Sequence, residues 1–241
     1  MENKALFLDY DGVLFDTLLE VYIVNRFIYS KKDFFEKVDK DEYNLYSKYK
    51  FLVYNIWMFY YYNPLIFEHK EDIVSSFQDA LLKRDIKKEE KYCSDFLNIR
   101  SELIKNHYDF WKNLEKPFEF FAEIKKLYET KNINIIIASK KNKSSIVERF
   151  KANNFDFCDK YIFAREALDK YSSKGEFIEE YMKLNNIDKA IFVDDNPNNI
   201  KSCEKYDNIQ TILALWGNSG INSKGLNQKE AIFEINNFFS K

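Results

Sequence analysis

Four short apolar runs, each cut off by polar or acidic residues, constrain this chain more than any other feature. Residues 5–8 end at Asp9-Tyr10-Asp11-Gly12, residues 133–138 at Ser139-Lys140, residues 190–193 at Asp194-Asp195-Asn196-Pro197, and residues 209–215 at Trp216-Gly217-Asn218. Runs of this kind, continuous at 5–8 and 190–193 and interrupted only by Asn134 and by Gln210-Thr211 in the other two, are what a strand needs when both of its faces are buried. Tyr161-Ile162-Phe163 is a shorter candidate. Helical periodicities lie between the runs, at 117–130, 144–153, 174–185 and 197–206. The alternation predicts an α/β fold with a Rossmann-like parallel sheet. Its polar residues gather at the carboxyl ends of the strands, the edge where open α/β sheets bind ligands.

Residues 17–115 interrupt this alternation, with several helical periodicities and no convincing strand. The clearest pattern covers about 93–114, where Phe96, Leu103 and Phe110 recur every seven residues beside Leu97, Ile104 and Trp111 and predict one apolar stripe. The expected organisation is a core of residues 1–16 and 116–241 with an inserted α-helical domain, 17–115. That insert is expected to lie over the strand ends, with hinges near 15–17 and 114–117.

Charge and cysteine content narrow the function. Lys plus Arg number 37 against 39 for Asp plus Glu, a net charge of −2, so no broad positive field draws nucleic acid or anionic lipid. An anionic substrate must be met by a local site. Cys93, Cys158 and Cys203 are widely spaced with no Cys-x-x-Cys, suggesting neither disulfides nor zinc; they read as small apolar residues in a reducing cytoplasm. The first residues show no secretory pattern. The aromatic stretch 51–67 holds Asn55 and Asn63-Pro64 and is short for a membrane span.

The strand ends supply the chemistry. Asp9 and Asp11 stand two residues apart, a spacing that puts both side chains on one side of an extended chain. In a parallel sheet Asp194 and Asp195 reach the same edge, and up to four carboxylates repel one another unless a cation intervenes. All-oxygen ligands with no His or Cys nearby favour magnesium. Ser139 and Lys174 add a hydroxyl and an ammonium suited to a bound phosphate.

These residues also carry a resemblance. Phe7-Leu8-Asp9-Tyr10-Asp11-Gly12-Val13-Leu14-Phe15-Asp16-Thr17 resembles the first motif of the haloacid dehalogenase-like (HAD) hydrolase superfamily. Ile135-Ile136-Ile137-Ala138-Ser139 is similar to its second motif, Lys174 stands at the place of the third-motif lysine, and Phe192-Val193-Asp194-Asp195-Asn196-Pro197-Asn198-Asn199 resembles the fourth. The helical insert matches, in position and character, what that family calls a C1 cap. The resemblance implies a magnesium-dependent phosphatase acting on a small phosphorylated metabolite. Asp9 would be the nucleophile that forms an aspartyl-phosphate, and Asp11 the acid that protonates the leaving alcohol and then the base that activates water. Magnesium would be held by the Asp9 carboxylate, the Asp11 carbonyl and Asp195, with Asp194 orienting these ligands, while Ser139 and Lys174 would hold the phosphoryl oxygens.

Where many relatives have Gly-Asp with a further Asp four residues on, this chain has Asp194-Asp195 with Asn199, so the metal ligands must come from the adjacent pair. Ser139-Lys140-Lys141 can be aligned with a one-residue slip, and Lys170 competes with Lys174; Ser139 is favoured because it ends the apolar run, Lys174 because it opens a helix. By the same resemblance, Asp11 argues against a dehalogenase or phosphonatase. A sugar phosphomutase would keep every motif, and a receiver-like signalling module or a non-catalytic phosphate-binding protein would share the acidic edge. Lys140, Lys141 and Lys143 read as a solvated face, Asp16-Thr17 as a helix cap, and His69 and His107 as packing or surface residues.

Overall fold

The apolar runs pair side by side in the structure, a computed structural model that describes residues 2–131, 133–220 and 223–240. In chain order the strands are β1 (Lys4–Leu8), β2 (Phe15–Asp16), β3 (Lys116–Pro117), β4 (Asn134–Ala138), β5 (Ile162–Phe163), β6 (Lys189–Asp194) and β7 (Ile209–Leu213). The main sheet has the order β5-β4-β1-β6-β7 with every pairing parallel. The segments expected as hinges are themselves paired: β2 and β3 form a small antiparallel ribbon with Phe15 opposite Pro117.

The chain divides into two compact units, Met1–Asp16 with Lys116–Lys241, and Thr17–Glu115. The second unit holds α1 (Leu18–Ser30), α2 (Lys40–Tyr49), α3 (Phe59–Phe67), α4 (Ile73–Leu81), α5 (Ile86–Asn106) and α6 (Tyr108–Leu114). It has its own core, built around Tyr22, Tyr46, Tyr62, Phe77, Phe96, Leu103 and Trp111. The single helix expected over 93–114 is two, because His107 leaves helical geometry at φ −139°, ψ 46°. That break resets the phase of the stripe, so Trp111 rather than Phe110 becomes fully buried.

So aromatic a core must satisfy its polar atoms internally. Asn25 Nδ2 donates to the Tyr46 hydroxyl at 2.9 Å, and Asn63 Nδ2 donates to Asn25 Oδ1 at 3.1 Å and to the Tyr92 hydroxyl at 2.7 Å. Glu20, wholly buried, accepts two bonds from Arg100, Nε at 2.7 Å and Nη2 at 2.8 Å, while the guanidinium lies 4.6 Å from the Phe96 ring centre. The bidentate geometry is what makes a buried carboxylate tolerable. Residues 51–67 break into short 3-10 turns and α3, which carries Pro64, and no helix among the described residues is long and apolar enough to cross a membrane.

In the first unit the helices are α7 (Glu119–Lys131), α8 (Lys143–Ala152), α9 (Arg165–Leu168), α10 (Lys174–Leu184), α11 (Pro197–Lys201) and α12 (Gln228–Ser240). The period of two sorts the strand residues between faces. Leu6, Leu8, Ile135, Ile137, Ile191 and Val193 join a layer with Phe120, Ile124, Phe150 and Ile235 of α7, α8 and α12. Ala5, Phe7, Ile136, Ala138, Ala190 and Phe192 join the opposite layer with Phe177, Ile178 and Met182 of α10. At about 1.5–3 kcal/mol for each large apolar side chain fully buried, these two layers hold the strand ends in fixed register.

Three local expectations change. The helix expected over 197–206 stops at Lys201 and continues as turns. Thr17 is the residue that precedes α1, but at φ −106°, ψ 5° it lies outside the extended geometry of a capping residue and makes no side-chain cap bond. Cys203 is buried as expected of a small apolar residue, whereas Cys158 is exposed.

Candidate active site

The parallel register makes the ends of three strands level. Leu8 stands opposite Ile137 of β4 on one side and Val193 of β6 on the other. The ladder runs one residue further, since the Asp9 amide donates to the Val193 carbonyl at 3.0 Å. Asp9 is thereby laid beside the acidic end of β6. Carboxylate oxygens of Asp9, Asp194 and Asp195, all buried, lie within 4.8 Å of one another.

Lys174 enters this cluster as the first residue of α10. Its Nζ is 2.9 Å from Asp9 Oδ1 and 2.8 Å from Asp194 Oδ2, and its side chain is 2% exposed. Asp194 is held further by the Asn196 amide at 2.8 Å and by Asn199 Nδ2, which reaches both oxygens at 3.1 and 3.0 Å. Asp195 accepts from the Asn218 amide at 2.7 Å. Two glycines make room for it. Gly12, at φ +77°, could not carry a side chain, because a Cβ would fall 2.0 Å from Asp195 Oδ2; a Cβ on Gly217 would fall 2.3 Å from the Gly12 carbonyl oxygen and 2.5 Å from Asp195 Cβ.

Burial pushes the Asp9 carboxyl up to about 7, against the opposing pull of Lys174, and the charges of Asp194, Asp195 and Asp11 push in the same direction as burial. For Lys174, burial alone works to lower the ammonium's proton affinity, but Asp194 and Asp9 beside it win and raise it above the ordinary lysine value. Two of the three buried carboxylates, Asp9 and Asp194, share the Lys174 ammonium, and the side chains of the cluster offer oxygen donors alone. The donor chemistry fits a hard divalent cation such as magnesium.

A pH dependence follows. Asp9, with its proton affinity raised in the fold, contributes stability that is fully present below its unfolded value near 4 and is lost as pH rises through about 7. Lys174 stays charged throughout that range. A cation held there would need the carboxylate, so any thermal stabilisation by added magnesium is expected to grow from pH 5.5 to pH 8, at about 2–4 °C per kcal/mol of binding energy for a chain of this size. Melting curves with and without magnesium at the two pH values check this; a shift independent of pH would contradict it.

Asp11 and Ser139 occupy neighbouring positions rather than the cluster. The Asp11 carboxylate pairs with Lys141, whose Nζ is 3.2 Å from Oδ1; the Lys141 side chain is 0% exposed. Ser139 is buried one residue beyond β4, its amide donating to the Phe163 carbonyl at 3.0 Å and its Oγ accepting from the Lys141 amide at 3.3 Å. The reading of Lys141 as part of a solvated face is therefore corrected: Lys140 is exposed, Lys141 is not. Lys170 is exposed and Lys174 buried.

No family model and no curated protein matches the chain. Solved structures do. A haloacid dehalogenase-like family hydrolase from Streptococcus pneumoniae superposes with a TM-score of 0.59 at 13% identity, covering 99% of this chain and 98% of that one. A predicted phosphatase from Clostridium acetobutylicum gives 0.58 at 16%, covering 98% and 100%, and a candidate β-phosphoglucomutase from Thermotoga maritima 0.58 at 14%, covering 98% and 99%. The chain has the haloacid dehalogenase-like fold. In that fold the carboxyl edge of the central parallel sheet is where Asp9, Lys174, Asp194 and Asp195 meet here.

Within the haloacid dehalogenase-like fold of this chain, the roles of four residues at the site, Lys141, Asn199, Gly217 and Asn218, are not apparent from the sequence. Asn199, noted only as a departure, binds both oxygens of Asp194; Asn218 and Gly217 shape the place of Asp195. Lys141 carried no local signal: β4 ends at Ala138 and residues 140 and 141 lie in a bend, so strand alternation does not separate Lys141 from Lys140.

Proposed function

We propose that this protein is a magnesium-dependent phosphatase, a member of the HAD hydrolases, that cleaves a small phosphorylated metabolite through an aspartyl-phosphate on Asp9. The observation that carries this reading is the convergence of Asp9, Asp194 and Asp195 within 4.8 Å, with Lys174 bridging Asp9 and Asp194. Asp9, Asp195 and the Asp11 carbonyl would hold the cation, with Asp194 kept in place behind them by Lys174 and Asn199. When bound, the ion supplies charge neutralisation at the nucleophile and the phosphate.

The residues then divide the work. An Asp9 carboxylate oxygen bonds to phosphorus while the bond from phosphorus to the ester oxygen breaks, and the Asp11 carboxyl gives its proton to that oxygen. Water next bonds to phosphorus, its proton passes to the Asp11 carboxylate, and the bond to Asp9 breaks, releasing inorganic phosphate. Lys174 and Ser139 steady the phosphoryl oxygens as charge spreads over them. The assignment of residues 1–16 and 116–241 as the catalytic core and 17–115 as the helical domain is part of this proposal. So is a cytoplasmic location, which suits three free cysteines.

A phosphate-release screen with magnesium over sugar phosphates, nucleotides, phosphoglycolate and p-nitrophenyl phosphate tests it. Release from at least one is expected, and none from any would discard the phosphatase. The structural likeness to a candidate β-phosphoglucomutase supports sugar phosphomutase as the second reading. Isomerised sugar phosphate formed from a bisphosphate donor without free phosphate would select it.

A further inference from the structure

Two buried lysines serve the acidic edge, and the proposed chemistry uses only one. Lys174 is taken by Asp9 and Asp194; Lys141 is paired with Asp11. Taking an ammonium wholly out of water is expensive unless a nearby charge compensates it. The protein nevertheless fixes Lys141 from several sides. Its amide donates to Ser139 Oγ at 3.3 Å, its carbonyl accepts from the Arg165 amide at 3.1 Å, and its Nζ lies 5.2 Å from the centre of the buried Tyr10 ring, which itself stacks on Phe15 at 4.9 Å. Tyr10 sits between Asp9 and Asp11 in the chain, so the ring that supports Lys141 belongs to the turn that presents both aspartates.

Asp11 differs from its neighbours in a corresponding way. Asp9, Asp194 and Asp195 are buried and share one cluster, whereas the Asp11 side chain is 39% exposed and directed to Lys141. We propose that Lys141 is a positioning residue: its buried ammonium draws the Asp11 carboxyl away from the cation-binding cluster and reserves it for proton transfer. The inference deepens the phosphatase reading and rests on it. Without the ammonium, the carboxylate is free to join the other three as one more ligand, and the proton for the ester oxygen is misplaced.

The test exploits leaving groups. p-Nitrophenolate departs without a proton, while an alkoxide needs one, so a misplaced acid penalises alkyl esters selectively. With magnesium, kcat/KM, which reports cleavage of the ester bond, is measured on p-nitrophenyl phosphate and on the best alkyl phosphate of the screen. Lys141→Met should lower the alkyl value about 10- to 100-fold, and at least about tenfold more than the aryl value. Lys141→Gln provides the same comparison should the Met variant not fold. In an Asp11→Asn background, adding Lys141→Met should cause little further loss on the alkyl ester, since the group it positions is already gone. Equal losses on both esters, as a merely structural lysine would give, overturn the assignment, as do fully additive losses in the double variant. Lys151→Met, an exposed lysine on α8, should change neither value. Wild-type protein inert on both esters would instead overturn the phosphatase reading itself.

Discussion

Replacing Asp9 by Asn is expected to lower kcat at least about 10³-fold on every ester the protein hydrolyses, while the fold persists. The amide matches the carboxyl in shape and still presents an oxygen toward Lys174, which lies 2.9 Å from Oδ1, but it cannot form the acyl-phosphate bond. Stability should move the other way. Burial already pushes the Asp9 carboxyl up to about 7, so removing its charge relieves a desolvated group beside Asp194 and Asp195. The metal-free variant should therefore melt no lower than wild type at pH 8, and magnesium should stabilise it less. Steady-state kinetics and paired melting curves check both parts. Activity within tenfold of wild type would remove Asp9 as the nucleophile.

Lys174→Met should be the most damaging single change to the first unit. It leaves Asp9 and Asp194 buried without the ammonium that lies within 3 Å of each, and breaking such a pair from one side costs about 3–5 kcal/mol. Asn199 and the Asn196 amide still donate to Asp194, so the loss falls most heavily on Asp9. For a chain of this length the melting temperature should drop on the order of 10 °C. The drop should shrink at pH 5.5, where Asp9 holds a proton, and magnesium should restore part of it at pH 8 by supplying positive charge. Activity should fall by at least about 10²-fold if Lys174 steadies the phosphoryl oxygens as proposed. A metal-free variant melting with wild type at pH 8 would show that the ammonium is not needed to hold the two carboxylates.

Much of the first unit was legible along the chain. β4 and β7 lie within their apolar runs, β1 overruns its own by one residue at its start and β6 by one at each end, and α7, α8 and α10 begin within two residues of their expected starts. These features repeat over a few residues and depend on hydrophobic pattern and local turn chemistry. The helical unit was less legible. His107 breaks the long helix, and no feature of the heptad spacing marks that position; the break decides that Trp111 is buried. Thr17 has the composition of a cap and not its geometry.

The sequence by itself determined that acidic residues would end two buried strands, that Ser139 would end a third, and that a lysine would open the helix before β6. Only the tertiary structure decided which charges meet. Lys174 and Asp194 are 20 residues apart and Lys141 and Asp11 are 130 apart, yet each pair closes to 3.2 Å or less. Lys140 and Lys141 are identical in composition, but one faces water and the other is wholly enclosed. The reason is physical: strand and helix formation answer to local periodicity, whereas the pairing and proton affinity of a charge depend on which surfaces exclude water around it, and those surfaces exist only once the sheet and its two layers have closed.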